Sequence, residues 1–156
     1  MPHTGLIDET LRGEARLLMR ARLHVKGSLE RFENGMVEDA IAAMYDAISS
    51  AMQRYTFPQV AHKQLEVFEG EDLTDDTILF EVLKRSGIID GTVEDDDFKY
   101  ITKVLDDAIE FKLDVFDSSK FIQLSKNLLV QMGVIPRNAD EFSIRIIDSL
   151  LQMTQH

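Results

Sequence analysis

The chain has 156 residues, no cysteine, 44% hydrophobic and 29% charged residues, and a formal net charge of −11. This length and composition are typical of one compact domain, so we predict a single domain over residues 1–156. No stretch approaches the ~20 uncharged apolar residues that a membrane-spanning helix needs. The lack of cysteine excludes a disulfide framework and a thiolate metal site, and no secretory signal is visible. We expect a soluble, cytoplasmic protein with no membrane contact.

Two long amphipathic helices are predicted first, over about 7–32 and 36–55. Apolar residues of the first helix recur at three-, four- and seven-residue intervals, which places them on one buried stripe. Asn34 and Gly35 between the helices tolerate positive φ and end helices at low cost, so we expect an antiparallel hairpin there. The second helix is rich in alanine, which allows neighbouring helices to approach closely, and we expect it to be the central packing helix.

Shorter helices are predicted in the rest of the chain. Thr74 and Thr92 are the expected N-caps of two of them, because a threonine hydroxyl accepts bonds from the first free backbone N–H groups of a helix. Together with the hairpin, these segments predict an all-α bundle of about six to seven helices. The predicted ranges are Gln59–Phe68, Asp75–Ser86, Glu94–Phe116, Ser119–Met132 and Ala139–Met153.

The charge is unevenly distributed along the chain. Residues 61–117 hold 17 acidic against 6 basic residues, whereas residues 1–60 hold 8 against 7 and residues 118–156 hold 3 against 4. An acidic block of this kind is either a solvated face or a docking surface for a basic partner.

A basic strip lies on the first predicted helix. Three arginines follow one another at four-residue steps, and two further basic residues lie close by. The strip is either an ordinary solvent face or a surface that contacts phosphate or a partner. This candidate interaction face consists of Arg12, Arg16, Arg20, Arg22 and Lys26.

No recognisable catalytic, cofactor-binding or metal-binding residues are found. The segment 86–98 resembles part of an EF-hand, but Ile88 stands where calcium needs an oxygen ligand and Asp97 where a bidentate glutamate belongs, which favours helix capping. P-loop and Gly-x-Ser-x-Gly motifs are absent. The histidines lack the spacing of di-metal and zincin sites. They are His3, His24, His62 and His156.

The first hairpin resembles the helix pair of HEPN-type domains. The run Arg20–Tyr55 contains Asp39-Ala40-Ile41 and Tyr45-Asp46-Ala47, which match the character of the second HEPN helix, and Leu79–Gly91 is similar to the short helix and turn that follow in some members. The resemblance covers a third to half of the chain. It implies a helical bundle that often forms a homodimer and works beside a nucleotidyltransferase-type protein partner, or that cleaves RNA.

The RNA-cleaving members carry an arginine followed by a histidine after four to six intervening residues, and this chain departs from that pattern. Three residues lie between Arg20 and His24, and seven between Arg54 and His62. No catalytic residue is therefore carried over from the resemblance. We predict a non-enzymatic helical interaction module that binds a protein or nucleic-acid partner. The alternatives are a helical small-ligand-binding protein and a diverged ribonuclease that uses one of two arginine–histidine pairs in unusual geometry, Arg20 with His24 or Arg54 with His62.

Overall fold

The computed structural model describes residues 12–57, 65–114, 116–137 and 142–154. Within these ranges the regular secondary structure is six α-helices and one 3-10 turn, without a β-strand, so the predicted all-α bundle is confirmed. The helices are α1 (Gly13–Glu33), α2 (Val37–Gln53), α3 (Asp76–Arg85), α4 (Asp95–Ile109), α5 (Ser118–Gln131) and α6 (Ile144–Thr154), with the 3-10 turn over Arg54–Thr56. None of the helices in these ranges is long and apolar enough to cross a membrane.

The predicted hairpin is formed by α1 and α2, which reverse direction at Gly35. This glycine has φ 74°, a left-handed conformation that glycine adopts without a Cβ clash. Its N–H donates to the Phe32 carbonyl at 3.2 Å, and the Met36 N–H donates to the Arg31 carbonyl at 2.8 Å. These two bonds satisfy carbonyls at the end of α1 and turn the chain toward α2.

The central helix of the bundle is α2, as predicted. It packs against α1, α3, α4 and α5, and the buried Ser28 hydroxyl of α1 donates to the Ala40 carbonyl at 2.6 Å. Small side chains on α2 allow these neighbours to approach closely. The alanines are therefore used for packing inside the chain. Those that are buried are Ala40, Ala43, Ala47 and Ala51.

The other helices close the core around α2. Phe80 of α3 and Phe98 of α4 stack with their ring centroids 4.4 Å apart. On the other side, α6 packs along α1 and buries Ile147 completely. The apolar stripe of each helix thus faces one shared core.

Two helix boundaries differ from the prediction by six residues or more. The first helix begins at Gly13, because Arg12 is extended with φ −135° and ψ 159°; residues 7–11 lie outside the described residues. The fifth predicted helix ends at Ile109 and not at Phe116, because Phe111 takes the left-handed φ of 55°. Apolar periodicity continues past both true ends, since it does not report backbone dihedral angles.

The helix predicted over Gln59–Phe68 is not present in its described part. Residues 65–68 are not helical, and residues 59–64 lie outside the described residues. A guanidinium at the end of α3 holds this segment: Arg85 Nη1 donates to the Glu66 carbonyl at 2.7 Å, and its Cζ lies 3.8 Å from the centroid of the Phe68 ring. A tertiary contact has replaced the local helical bonds here.

Some carboxylates in the acidic middle of the chain cap the starts of helices. The N-caps are Asp75 and Glu94 and not Thr74 and Thr92. Asp75 Oδ1 accepts from two backbone N–H groups of α3, and Glu94 forms a capping box with Asp97. Carboxylates at these positions satisfy free N–H groups and face the positive end of the helix dipole. Helix capping therefore explains part of this negative charge.

The last two helices agree with the prediction within a few residues. α5 begins after Asp117, whose carboxylate accepts from the Lys120 N–H at 3.0 Å. α6 begins at Ile144 and not at Ala139; residues 138–141 lie outside the described residues, and 142–143 are not helical.

Candidate functional site

The N-terminal part of α1 exposes three arginines of the predicted interaction face. Arg12 precedes the first turn, and Arg16 and Arg20 lie one helical turn apart; all three side chains are exposed. The α-helical rise of 1.5 Å per residue places the Cα atoms of Arg16 and Arg20 about 6 Å apart along the axis. No carboxylate oxygen of the described residues lies within 4.0 Å of either guanidinium. Their charge is therefore directed to solvent and not to the fold.

The other two residues of that face contact acceptors in the same chain. Arg22 Nε donates to the Val134 carbonyl at 3.1 Å, and Lys26 Nζ lies 2.8 Å from the Asp148 carboxylate of α6. Burial, with a smaller contribution from nearby Arg54, lowers the pKa of Arg22. The hydrogen bond to Asp148 raises the pKa of Lys26. The five predicted residues thus divide into an exposed group and a group that contacts α6 and the segment after α5.

A second cation, Arg54, which the sequence offered only as the partner of His62 in the alternative nuclease, holds the end of α5. Arg54 Nη1 donates to the Met132 carbonyl at 2.8 Å, and the Tyr55 hydroxyl donates to the same oxygen at 3.3 Å. Arg54 Nε lies 3.5 Å from the Glu14 carboxylate. Because Met132 is the C-cap of α5, the guanidinium sits at the negative end of that helix dipole. The partners are 78 residues apart in sequence, so no local signal indicates the contact.

The histidine of the first alternative nuclease pair is buried. His24 has no exposed surface, whereas Arg20 on the preceding turn is exposed. A general acid or base must reach the proton that it transfers, and buried His24 does not reach a substrate on the surface. His62, the partner of Arg54 in the second pair, lies outside the described residues, as do His3 and His156.

The EF-hand-like segment uses its oxygens for hydrogen bonds within the fold. Asp90 Oδ1 accepts from both the N–H and the hydroxyl of Thr92, which lowers the pKa of Asp90. The Thr92 hydroxyl in turn accepts from Asn127 and Gln131 of α5, each at 3.1 Å. In the part of the chain that the structure describes, no three His, Cys, Asp or Glu side chains are grouped to hold a metal ion. The segment attaches the loop before α4 to α5.

A shallow depression of about 410 Å³ lies on the outer side of α5. Two cations, two amides and two apolar side chains line it. It is open to solvent, and the amide of Asn127 is already bonded to Thr92 and Gln131. The lining residues are Gln123, Leu124, Lys126, Asn127, Val130 and Arg137.

Comparison of the chain with protein-family models, with curated proteins and with solved structures gives no match. The HEPN resemblance of the hairpin therefore stays a prediction.

Proposed function

We propose that the protein is a cytoplasmic, non-enzymatic helical interaction module that resembles HEPN-type domains and binds the acidic surface of a partner protein through Arg12, Arg16 and Arg20. The observation that carries this proposal is the exposure of Arg16 and Arg20 without a carboxylate of the described residues within 4.0 Å. Arginine presents several donors in a planar fork that suits bidentate bonds to carboxylates. One turn of α1 holds the forks of Arg16 and Arg20 in register, and Arg12 precedes that helix.

The overall charge favours a protein partner over nucleic acid. A chain of net charge −11 repels a polyanion at long range, and three arginines supply few phosphate contacts. Against an acidic protein surface, the strip is a local region of opposite charge that steers association. RNA is the alternative anionic partner.

The test combines affinity purification with charge reversal. Tagged protein is purified from its source cells at physiological salt, with and without ribonuclease, and binding of the isolated partner is measured by calorimetry. The variant Arg12→Glu/Arg16→Glu/Arg20→Glu should weaken binding by roughly tenfold or more, with a strong salt dependence. Recovery of RNA alone would replace the acidic protein by a nucleic-acid partner.

A matched control separates the strip from net charge. The variant Lys99→Glu/Arg137→Glu/Arg145→Glu changes the charge by the same amount at three other exposed positions, and it should leave the affinity nearly unchanged. Equal weakening by both variants, or unchanged binding in the strip variant, would remove this surface from the proposal.

The proposal includes the homodimer that the HEPN resemblance implies. The alanines of α2 do not support it, because they are packed inside the chain. A dimer needs another surface. Sedimentation equilibrium over a wide range of protein concentration tests this part, and a monomer throughout would exclude it.

A further inference from the structure

The end of α4 places an aromatic residue where glycine is favoured. Phe111 follows the C-cap Glu110 and has φ 55°, in the left-handed region. Its N–H donates to the Ala108 carbonyl at 3.1 Å, and the Lys112 N–H donates to the Asp107 carbonyl at 2.8 Å. These bonds form a Schellman turn, in which the position of Phe111 is usually glycine because a Cβ atom strains the left-handed backbone.

Burial does not offset this strain. The Phe111 side chain is 79% exposed, and Ile109, the last residue of α4, is 63% exposed. They are the two most exposed large hydrophobic residues among those the structure describes. Exposed apolar surface contributes little to folding. Both the backbone conformation and the solvent exposure of Phe111 therefore disfavour phenylalanine as far as the stability of this chain is concerned.

The apolar pair is flanked by acidic residues. Asp106 and Glu110 are exposed at this end of α4, and Asp114 is exposed three residues after Phe111. Glu110 pairs with Lys112 at 3.1 Å, but no cation of the described residues lies within 4.0 Å of the Asp106 or Asp114 carboxylates. This patch consists of Ile109 and Phe111, and its rim thus carries negative charge that the fold does not neutralise.

We infer that Ile109 and Phe111 anchor a second partner, a basic amphipathic protein segment whose apolar side chains cover Phe111 and whose lysines or arginines meet Asp106 and Asp114. An aromatic side chain covered by a partner and ringed by polar contacts is the usual form of a binding hot spot. A second copy of this chain is a poorer occupant, since a two-fold contact would bring identical acidic rims together. The site differs from the arginine strip in place and in charge, so it does not depend on the proposed function.

The test uses a defined probe on the full chain. The probe is a short fluorescent peptide of lysines and leucines at helical spacing, with two comparison peptides in which glutamate replaces lysine or serine replaces leucine. Fluorescence anisotropy should show that the protein prefers the first peptide to both of the others. Phe111→Gly should weaken that binding roughly tenfold and raise the urea midpoint. Met36→Ala, at an exposed methionine beside the hairpin turn, should do neither.

Several results would overturn the inference. Unchanged affinity in Phe111→Gly would show that Phe111 is not an anchor, and preference for the glutamate peptide would contradict the charge argument. A lower urea midpoint in that variant would mean that Phe111 stabilises the fold. A dimer in sedimentation that dissociates in Phe111→Gly would assign the patch to a second copy.

Discussion

The Met132 carbonyl at the end of α5 offers a sharp test of the role of Arg54. Met132 is fully buried, and its oxygen accepts from Arg54 Nη1 at 2.8 Å and from the Tyr55 hydroxyl at 3.3 Å. The first bond is charged and short, whereas the second is long for an O–H···O bond. Removal of one donor leaves the other in place, but removal of both leaves a buried carbonyl without either bond.

The magnitudes follow from this geometry. A hydrogen bond from a charged group contributes about 1.5–3 kcal/mol. Arg54→Met keeps the apolar stem and relieves the repulsion of Arg22, so we expect a loss of about 1–2 kcal/mol. Tyr55→Phe removes the weak bond and should cost about 0.5 kcal/mol. The double variant should lose at least about 1 kcal/mol more free energy of unfolding than the two single variants lose together, because an unsatisfied buried group costs about 1–3 kcal/mol.

Urea unfolding followed by circular dichroism measures this cycle. The free energy of unfolding falls by about 2 kcal/mol per molar urea, so the excess loss in the double variant appears as an additional shift of about 0.5 M in its urea midpoint. Tyr100→Phe is the matched control, since the Tyr100 hydroxyl donates at the same 3.3 Å to the Asp117 carbonyl. Its combination with Arg54→Met should be additive. Additivity in the Arg54/Tyr55 cycle as well would refute the shared-acceptor argument.

Two further predictions concern the core and the tyrosines. Ile48→Ala, at a fully buried position of α2, should lower the free energy of unfolding by about 2–5 kcal/mol. Met36→Ala, at a residue that is 48% exposed, should change that free energy by less than about 0.5 kcal/mol. Equal urea midpoints for the two variants would contradict the central role of α2. Burial, aided by Asp76 at Tyr45 and by Asp117 at Tyr100, raises the pKa values of all three tyrosines. The folded chain therefore keeps phenolic protons that the unfolded chain releases near pH 10, and stability should fall as the pH rises above 10. The test compares the phenolate absorbance of native and urea-unfolded protein as the pH rises. An increase at the same pH in both would contradict the raised pKa values of the tyrosines.

The candidate face illustrates how far the sequence could go. Arg16, Arg20, Arg22 and Lys26 lie on the first helix as predicted, whereas Arg12 is extended before its first turn. The sequence could not distinguish Arg16 and Arg20 from Arg22 and Lys26. The acceptors of Arg22 and Lys26 lie on segments more than 100 residues further along the chain. Only the packing of α6 against α1 and of α5 against α2 brings them within bonding distance.

The sequence by itself determined the all-α class, the hairpin and the central position of α2, because helical periodicity, a glycine turn and small side chains act through neighbouring residues. Tertiary structure decided the rest. It buried His24, placed Arg54 on the end of α5, and left Phe111 exposed in a left-handed turn. Burial and hydrogen-bond partners depend on which helices meet, and apolar periodicity carries no information about the partner of a given side chain.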